Sequence, residues 1–277
     1  MTQLRASGGG RPYNSSGRLP VKARFRPTRW PLPSQSGPSM DDIAQRTRHL
    51  LAETARLALD AGRSADAVTL VGVAKTHPAE SVRVAVEAGL RHVGESYVQE
   101  ALPKIAALTD LPVVWHFVGR LQANKTAAVA ASFAWVHAVD RLRIAERLNA
   151  QRPADMPPLE CCIEVNLSGE ESKGGVTPEA LPALAAAMAA MPRLRLRGLM
   201  VLPAPSDDPV RQREPFARLR GLLEDLRRDH PQLDTLSMGM SGDMESAIAE
   251  GATLVRIGTA LFGSRPARAA ISGSDQA

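Results

Sequence analysis

The sequence predicts an α/β protein built around one closed (β/α)8 barrel of the TIM type. Three observations carry that prediction. Short apolar, β-rich runs alternate with Ala/Leu/Glu/Arg-rich stretches of helical spacing, the pattern of parallel strands joined by helical crossovers. The apolar runs are eight in number, which is the count that closes a barrel. No G-x-G-x-x-G follows the first run and no G-x-x-x-x-G-K-[ST] occurs, so the alternative of an open doubly wound sheet lacks its usual fingerprint.

Residues 41–61 place Ile43, Leu50, Leu51, Ala55 and Leu57 to Leu59 among charges, an amphipathic helix ahead of the first strand that Gly62 ends. Strands are then expected at 69–74 (TLVGVA), 91–94 (RHVG), 113–118 (VVWHFV), 135–139 (WVHAV), 160–166 (ECCIEVN), 195–202 (RLRGLMVL), 234–238 (DTLSM) and 253–257 (TLVRI). Helical spacing fills 78–88, 98–108, 141–150, 178–190 and 211–229, and a further helix opens at Met244. A barrel of this kind carries its chemistry at the C-terminal ends of the strands and grips phosphate with the loops after strands seven and eight.

Charge is distributed unevenly. The chain has 34 Lys+Arg against 29 Asp+Glu and a pI near 9.7, which by itself points to an anionic partner. Residues 1–40, however, hold seven basic side chains and no acid, leaving 27 basic and 29 acidic side chains in 41–277, a net of −2. The first 40 residues also contain six Pro and five Gly with no apolar period, so a disordered basic tail is expected there. A transit peptide and a nucleic-acid-binding arm are the competing readings of that tail. Met40-Asp41-Asp42 opens the first periodic segment, which suggests that translation begins at Met40 and that 41–277 is the working domain. No run reaches the ~18 apolar residues of a membrane span. Cys161 and Cys162 are adjacent and form no disulfide framework; they read as packing residues on opposite faces of strand five. The six histidines (49, 77, 92, 116, 137, 230) show no i, i+4 pair, so no metal site is expected, and His116 reads as a hydrogen-bonded core residue. A cytoplasmic protein that binds neither nucleic acid nor membrane is the expectation.

Three features could carry chemistry. Lys75 follows the apolar strand Leu70-Val71-Gly72-Val73-Ala74, and an amine deprived of water at a barrel mouth becomes nucleophilic, as imine formation needs. The plain alternative is a strand-end ammonium reaching water. Gly239-Met240-Ser241-Gly242-Asp243 after strand seven and Gly258-Thr259-Ala260 after strand eight supply glycines, hydroxyls and a helix N-terminus for an anion. Ser241 serves equally as a helix cap, and the motif misses the G-x-S-x-G nucleophile elbow, which excludes a hydrolase of that type. Arg256, inside the apolar Leu254-Val255-Arg256-Ile257, needs an acceptor, either in a ligand or in a strand carboxylate such as Glu164. Taken together, the three suit an aldehyde bearing a phosphate: pyridoxal 5′-phosphate, attached to Lys75.

At this point the chain resembles the pyridoxal phosphate homeostasis protein family, whose barrel is similar to the N-terminal domain of alanine racemase. The resemblance runs from about Met40 to Arg265. It rests on Val73-Ala74-Lys75-Thr76, Gly94-Glu95-Ser96-Tyr97-Val98-Gln99-Glu100, Trp115 to Lys125, Asn166 to Gly175 with its Ser172-Lys173 pair, Gly198-Leu199-Met200, Met240 to Glu245, and Arg256-Ile257-Gly258-Thr259. It implies that Lys75 forms the imine, that Ser241, Gly242, Gly258 and Thr259 hold the phosphate, and that Arg256 faces the pyridine nitrogen. Ser96 stands where the family usually has Asn beside the ring. The family's proteins begin near the position of Met40.

The implied function is to carry or buffer pyridoxal phosphate in vitamin B6 and amino-acid homeostasis, with PLP-dependent apo-enzymes as recipients and without efficient catalysis. An arginine at the ring nitrogen disfavours its protonation and weakens the ring as an electron sink. Racemases of the similar fold use a tyrosine from a partner subunit's C-terminal domain as second base. Here the tyrosines are Tyr13 and Tyr97, and with no counterpart expected for the racemases' partner domain a monomer is the expectation. The alternative is a PLP-dependent amino-acid racemase or decarboxylase of the same fold.

Overall fold

A computed structural model describes residues 39–170 and 174–264; the basic tail before Ser39, the Ser172-Lys173 pair and Arg265 lie outside the described residues. Eight parallel strands close in sequential order, and β8 pairs back to β1. The elements are α1 (Met40–Asp60), β1 (Thr69–Val73), α2 (Ala79–Glu87), β2 (His92–Glu95), α3 (Val98–Ala107), β3 (Val114–Phe117), α4 (Thr126–Ser132), β4 (Trp135–Val139) and α5 (Leu142–Gln151). They continue with β5 (Leu159–Glu164), α6 (Leu181–Ala189), β6 (Leu194–Met200), α7 (Pro209–Leu226), β7 (Thr235–Ser237), α8 (Met244–Ala249), β8 (Leu254–Ile257) and α9 (Thr259–Phe262).

All eight expected strands form. The expected helices form too, with two additions: α9, of four residues, and α4. It is a seven-residue, alanine-rich segment after a 3-10 turn at Ala123–Lys125, burying only Thr126, Val129 and Ala130. So short a helix carries too few apolar positions for a 3.6-residue period to show.

α1 begins as its sequence dictates. The Ser39 hydroxyl accepts from Asp42 N while the Asp42 carboxylate accepts from Ser39 N, a reciprocal capping box. Its buried face of Ile43, Thr47, Leu50, Thr54, Leu57 and Ala58 packs against α2, α8 and α9, so α1 covers the seam where β8 meets β1. At the opposite, N-terminal rim, Arg197 joins Glu160 to Asp234 at 3.1 and 2.6 Å and lies 5.2 Å over the Trp135 ring. That network ties β5, β6 and β7 at the face where barrel residues serve stability.

Cys161 and Cys162 are both fully buried in β5, and burial pushes the Cys162 thiol up to about 12. Both serve as packing residues of the barrel wall. Gly198 of β6 is held to glycine by its neighbour: a Cβ there would lie 1.9 Å from the carbonyl oxygen of Thr235 in β7. Because the obstacle is backbone, Gly198→Ala is expected to cost more than about 3 kcal/mol, measured as a lowered urea midpoint at unchanged m-value.

Candidate functional site

The C-terminal ends of β1, β2, β7 and β8 bring the expected site residues to one mouth of the barrel, with Lys75 on a tight turn just past β1. His77 N donates to Ala74 O at 3.1 Å, closing a four-residue turn with Lys75 second and Thr76 third. Thr76 has φ +68°, and it is the single non-glycine residue with positive φ among the described residues. A β-branched residue is rare in that conformation, which the third position of a type II turn requires. The His77 ring stacks on Phe262 of α9 with centroids 5.4 Å apart, fastening this turn to the segment that follows β8.

Two lysines stand beside the turn after β1, and they differ. Lys104 of α3 is 7% exposed, donates to Ala74 O at 2.8 Å and pairs with Glu95 at 2.6 Å. Its nitrogen is committed. Lys75 Nζ has no hydrogen-bond or ion-pair partner among the described residues and is half-buried. Burial drives the Glu95 carboxyl up, and its Oε2 is buried with no partner among the described residues. Ser96 follows Glu95 directly. Its backbone presses on Gly119, where a Cβ would meet Ser96 O at 2.3 Å, which accounts for the glycine in Val118-Gly119-Arg120.

The loops after β7 and β8 meet each other: Ala260 N donates to Ser241 Oγ at 3.4 Å. The backbone N–H groups of Ser241, Gly242, Gly258 and Thr259 have no protein acceptor among the described residues. A Cβ on Gly242 would meet nothing within 4 Å, so this backbone lies open to a ligand. Asp243 steadies the loop by accepting from Met240 N at 2.5 Å. The helices that follow have only six and four residues, so the capacity for an anion resides in these N–H groups more than in a helix macrodipole.

Arg256 lies below the mouth on β8, 5% exposed. Its Nη1 donates to Ser237 Oγ at 2.6 Å and its Nη2 to Val201 O at 3.0 Å. The ion pair with Glu164 that the sequence left open is not made. Both acceptors are neutral, and Glu164 influences Arg256 only through space. Burial brings the guanidinium down to about 10, against the pull of Asp243, Cys162 and Glu164, so it keeps its charge at neutral pH.

From Ser237 a line of histidines crosses the barrel interior. His137 Nδ1 lies 2.7 Å from Ser237 Oγ, His116 Nδ1 2.8 Å from His137 Nε2, and His92 Nδ1 2.9 Å from His116 Nε2. The line is satisfied with every ring neutral when all three histidines take the same tautomer, each donating from one ring nitrogen and accepting at the other. Burial holds His116 well below the usual imidazole range, and with the field of Arg256 it takes His137 to about 3. The sequence pointed to His116 as hydrogen-bonded, but its partners are His92 of β2 and His137 of β4, with Ser237 of β7 next along the line, at separations in sequence that carry no local signal.

A cavity of about 580 Å³ opens beside the ends of β5 and β6, lined in part by Glu164, Asn166, Val201, Leu202 and Arg211. Glu164 is 7% exposed and its carboxyl is raised by burial and by Asp140. No helix among the described residues is long and apolar enough to cross a membrane.

Comparison with known proteins agrees with this architecture. The alanine racemase N-terminal domain family matches residues 51–266. The pyridoxal phosphate homeostasis protein of Pseudomonas aeruginosa is 56% identical over 226 residues, covering 82% of this chain and 97% of that protein. Its Escherichia coli counterpart is 49% identical over 229 residues, covering 82% and 98%. The solved structure of PipY from Synechococcus elongatus with PLP bound superposes with a TM-score of 0.70 at 38% identity, covering 80% of this chain and all of that one. Alanine racemase from Corynebacterium glutamicum shares the fold, with a TM-score of 0.63 at 18% identity. The chain belongs to the pyridoxal phosphate homeostasis protein family, on the barrel of the alanine racemase N-terminal domain.

Proposed function

We propose that this protein binds pyridoxal 5′-phosphate and holds it as a carrier or buffer, releasing it to PLP-dependent apo-enzymes without catalysing turnover. The observation that carries the proposal is one free amine, Lys75 Nζ, at the same barrel mouth as four unengaged N–H groups on two mutually bonded loops. The PLP-bound relative and the homeostasis proteins support it. When bound, the cofactor supplies an aldehyde that an amine can capture reversibly.

In this reading Lys75 is the point of attachment. The N–H groups of Ser241, Gly242, Gly258 and Thr259, with the hydroxyls of Ser241 and Thr259, hold the phosphate. Arg256 faces the ring nitrogen, and Ser96 lies beside the ring. Residues 41–277 form the binding domain and act as a monomer in the cytoplasm, with 1–40 as a tail. A charged Arg256 offers the ring nitrogen a hydrogen bond but no proton that leaves easily, so electron withdrawal through the ring stays weak. Tyr97 is 52% exposed at the start of α3, a poor place for a second base.

The test combines retention with exchange. Gel-filtered protein is expected to keep about one cofactor per chain and to reconstitute an apo-enzyme. It should exchange the α-proton of amino acids in D2O no faster than free pyridoxal phosphate does. Sustained α-exchange well above that background would assign the protein to racemase-type or decarboxylase-type chemistry instead.

A further inference from the structure

Both peptide units that flank Lys75 are gripped by charged side chains of one helix. The carbonyl oxygen of Ala74, in the unit before Lys75, accepts from Lys104 Nζ at 2.8 Å. The amide nitrogen of Thr76, in the unit after it, donates to Glu100 Oε2 at 2.8 Å. Glu100 and Lys104 are four residues apart on α3, the spacing that puts two side chains on one helix face. Behind Lys104 the buried Glu95 fixes the ammonium at 2.6 Å, so the clamp has a rigid backstop. We propose that Glu100 and Lys104 are positioning residues for Lys75, holding its turn in the left-handed form that aims the amine into the barrel mouth. The proposal rests on Lys75 being the attachment point.

The local chemistry explains why a clamp is needed. Left to itself, a threonine avoids φ +68°, because its branched Cβ crowds the backbone there. Such strained conformations persist where the surroundings over-determine them, and they concentrate at functional sites. Here the fixing contacts are charge-assisted and therefore stronger than ordinary backbone bonds. A third hold, the His77 ring on Phe262, joins the same turn to the segment carrying Gly258 and Thr259. Lys75 and the anion-holding loops thus keep a fixed spacing. If the Thr76 contact is lost, the residue relaxes toward negative φ, the peptide planes on either side of Lys75 rotate, and the amine swings off line.

The experiment titrates purified protein with pyridoxal phosphate and follows the absorbance band near ~420 nm of a lysine-bound cofactor. Glu100→Ala is expected to weaken attachment about tenfold, the lower range of one strained backbone conformation. Glu100→Gln keeps an acceptor oxygen and should recover most of the loss. Thr76→Gly placed in the Glu100→Ala protein removes the strain and should return attachment to within about threefold of wild type, since glycine adopts positive φ freely. Lys104→Met combined with Glu95→Gln removes the ammonium without stranding its carboxylate and should weaken attachment by a similar factor. Glu100→Ala binding as tightly as wild type overturns the clamp. So does a Glu100→Ala defect that Thr76→Gly fails to relieve in protein of unchanged melting temperature. The Lys75→Ala control separates the two levels: if it keeps the band, the attachment assignment fails, whatever the α3 variants do.

Discussion

Between pH 7 and pH 5 the folded barrel is expected to lose about 2 kcal/mol of stability through His137 alone, with His116 adding a loss in the same direction. Both are fully buried, and His137 titrates near 3 instead of the ordinary 6.5. In the fold they stay neutral across this window, while in the unfolded chain they gain protons as the pH falls through 6.5. Acidification therefore favours unfolding. The loss starts near pH 6.5, and for His137 it is complete only near pH 3. At pH 5 His137 contributes about 2 kcal/mol of it. The carboxyls of Glu95, Glu164 and Asp243, raised by burial, take up protons in the folded state and offset part of the loss. Comparing two pH values within one protein removes the ordinary cost of a core substitution. In His137→Asn the difference in urea unfolding free energy between pH 7 and pH 5 should shrink by about 2 kcal/mol. An unchanged difference would mean that His137 is not the buried neutral group described here.

The second large effect concerns the anion grip. Gly242→Asp puts a carboxylate beside the N–H groups of Ser241, Gly242, Gly258 and Thr259, in space where an added Cβ touches nothing. Folding should be undisturbed. Binding of pyridoxal 5′-phosphate should fall by about a hundredfold, because like charges brought together cost several kcal/mol. Pyridoxal, which lacks the phosphate, should bind the variant about as weakly as it binds wild type. The pair of titrations isolates the phosphate contribution. If both ligands weaken equally, these loops do not hold the phosphate.

The barrel was legible in the sequence because its strands are buried on both faces and read as short apolar runs, with helical periods between them. α4 was not, since seven alanine-rich residues carry no period. Of the site, the residues on or next to strand ends were readable. Lys75, Ser241, Gly242, Gly258 and Thr259 are proposed from the rule that barrel chemistry sits at C-terminal strand ends, and Arg256 from a charge set inside an apolar strand. What supports them was not. The His92–His116–His137–Ser237 line joins four strands through the interior, and the acceptors of Arg256 come from β7 and the end of β6. Such contacts depend on strand register around a closed sheet, which no single segment encodes. Glu100 and Lys104 look like ordinary polar residues of a surface helix until α3 is packed beside the Lys75 turn. The pI near 9.7 misled in a simpler way, because it averages a basic tail with a nearly neutral body.

The most direct test of the central claim is to load the protein with pyridoxal 5′-phosphate, reduce it with borohydride, digest it and map the modified lysine by mass spectrometry. The chain has five lysines, at 22, 75, 104, 125 and 173. The geometry predicts stoichiometric labelling of the peptide containing Lys75, none on Lys104, whose nitrogen is held by Glu95 and Ala74, and no stoichiometric label anywhere in Lys75→Ala. Label found mainly on another lysine, or Lys75→Ala protein that retains the cofactor as firmly as wild type, would contradict it.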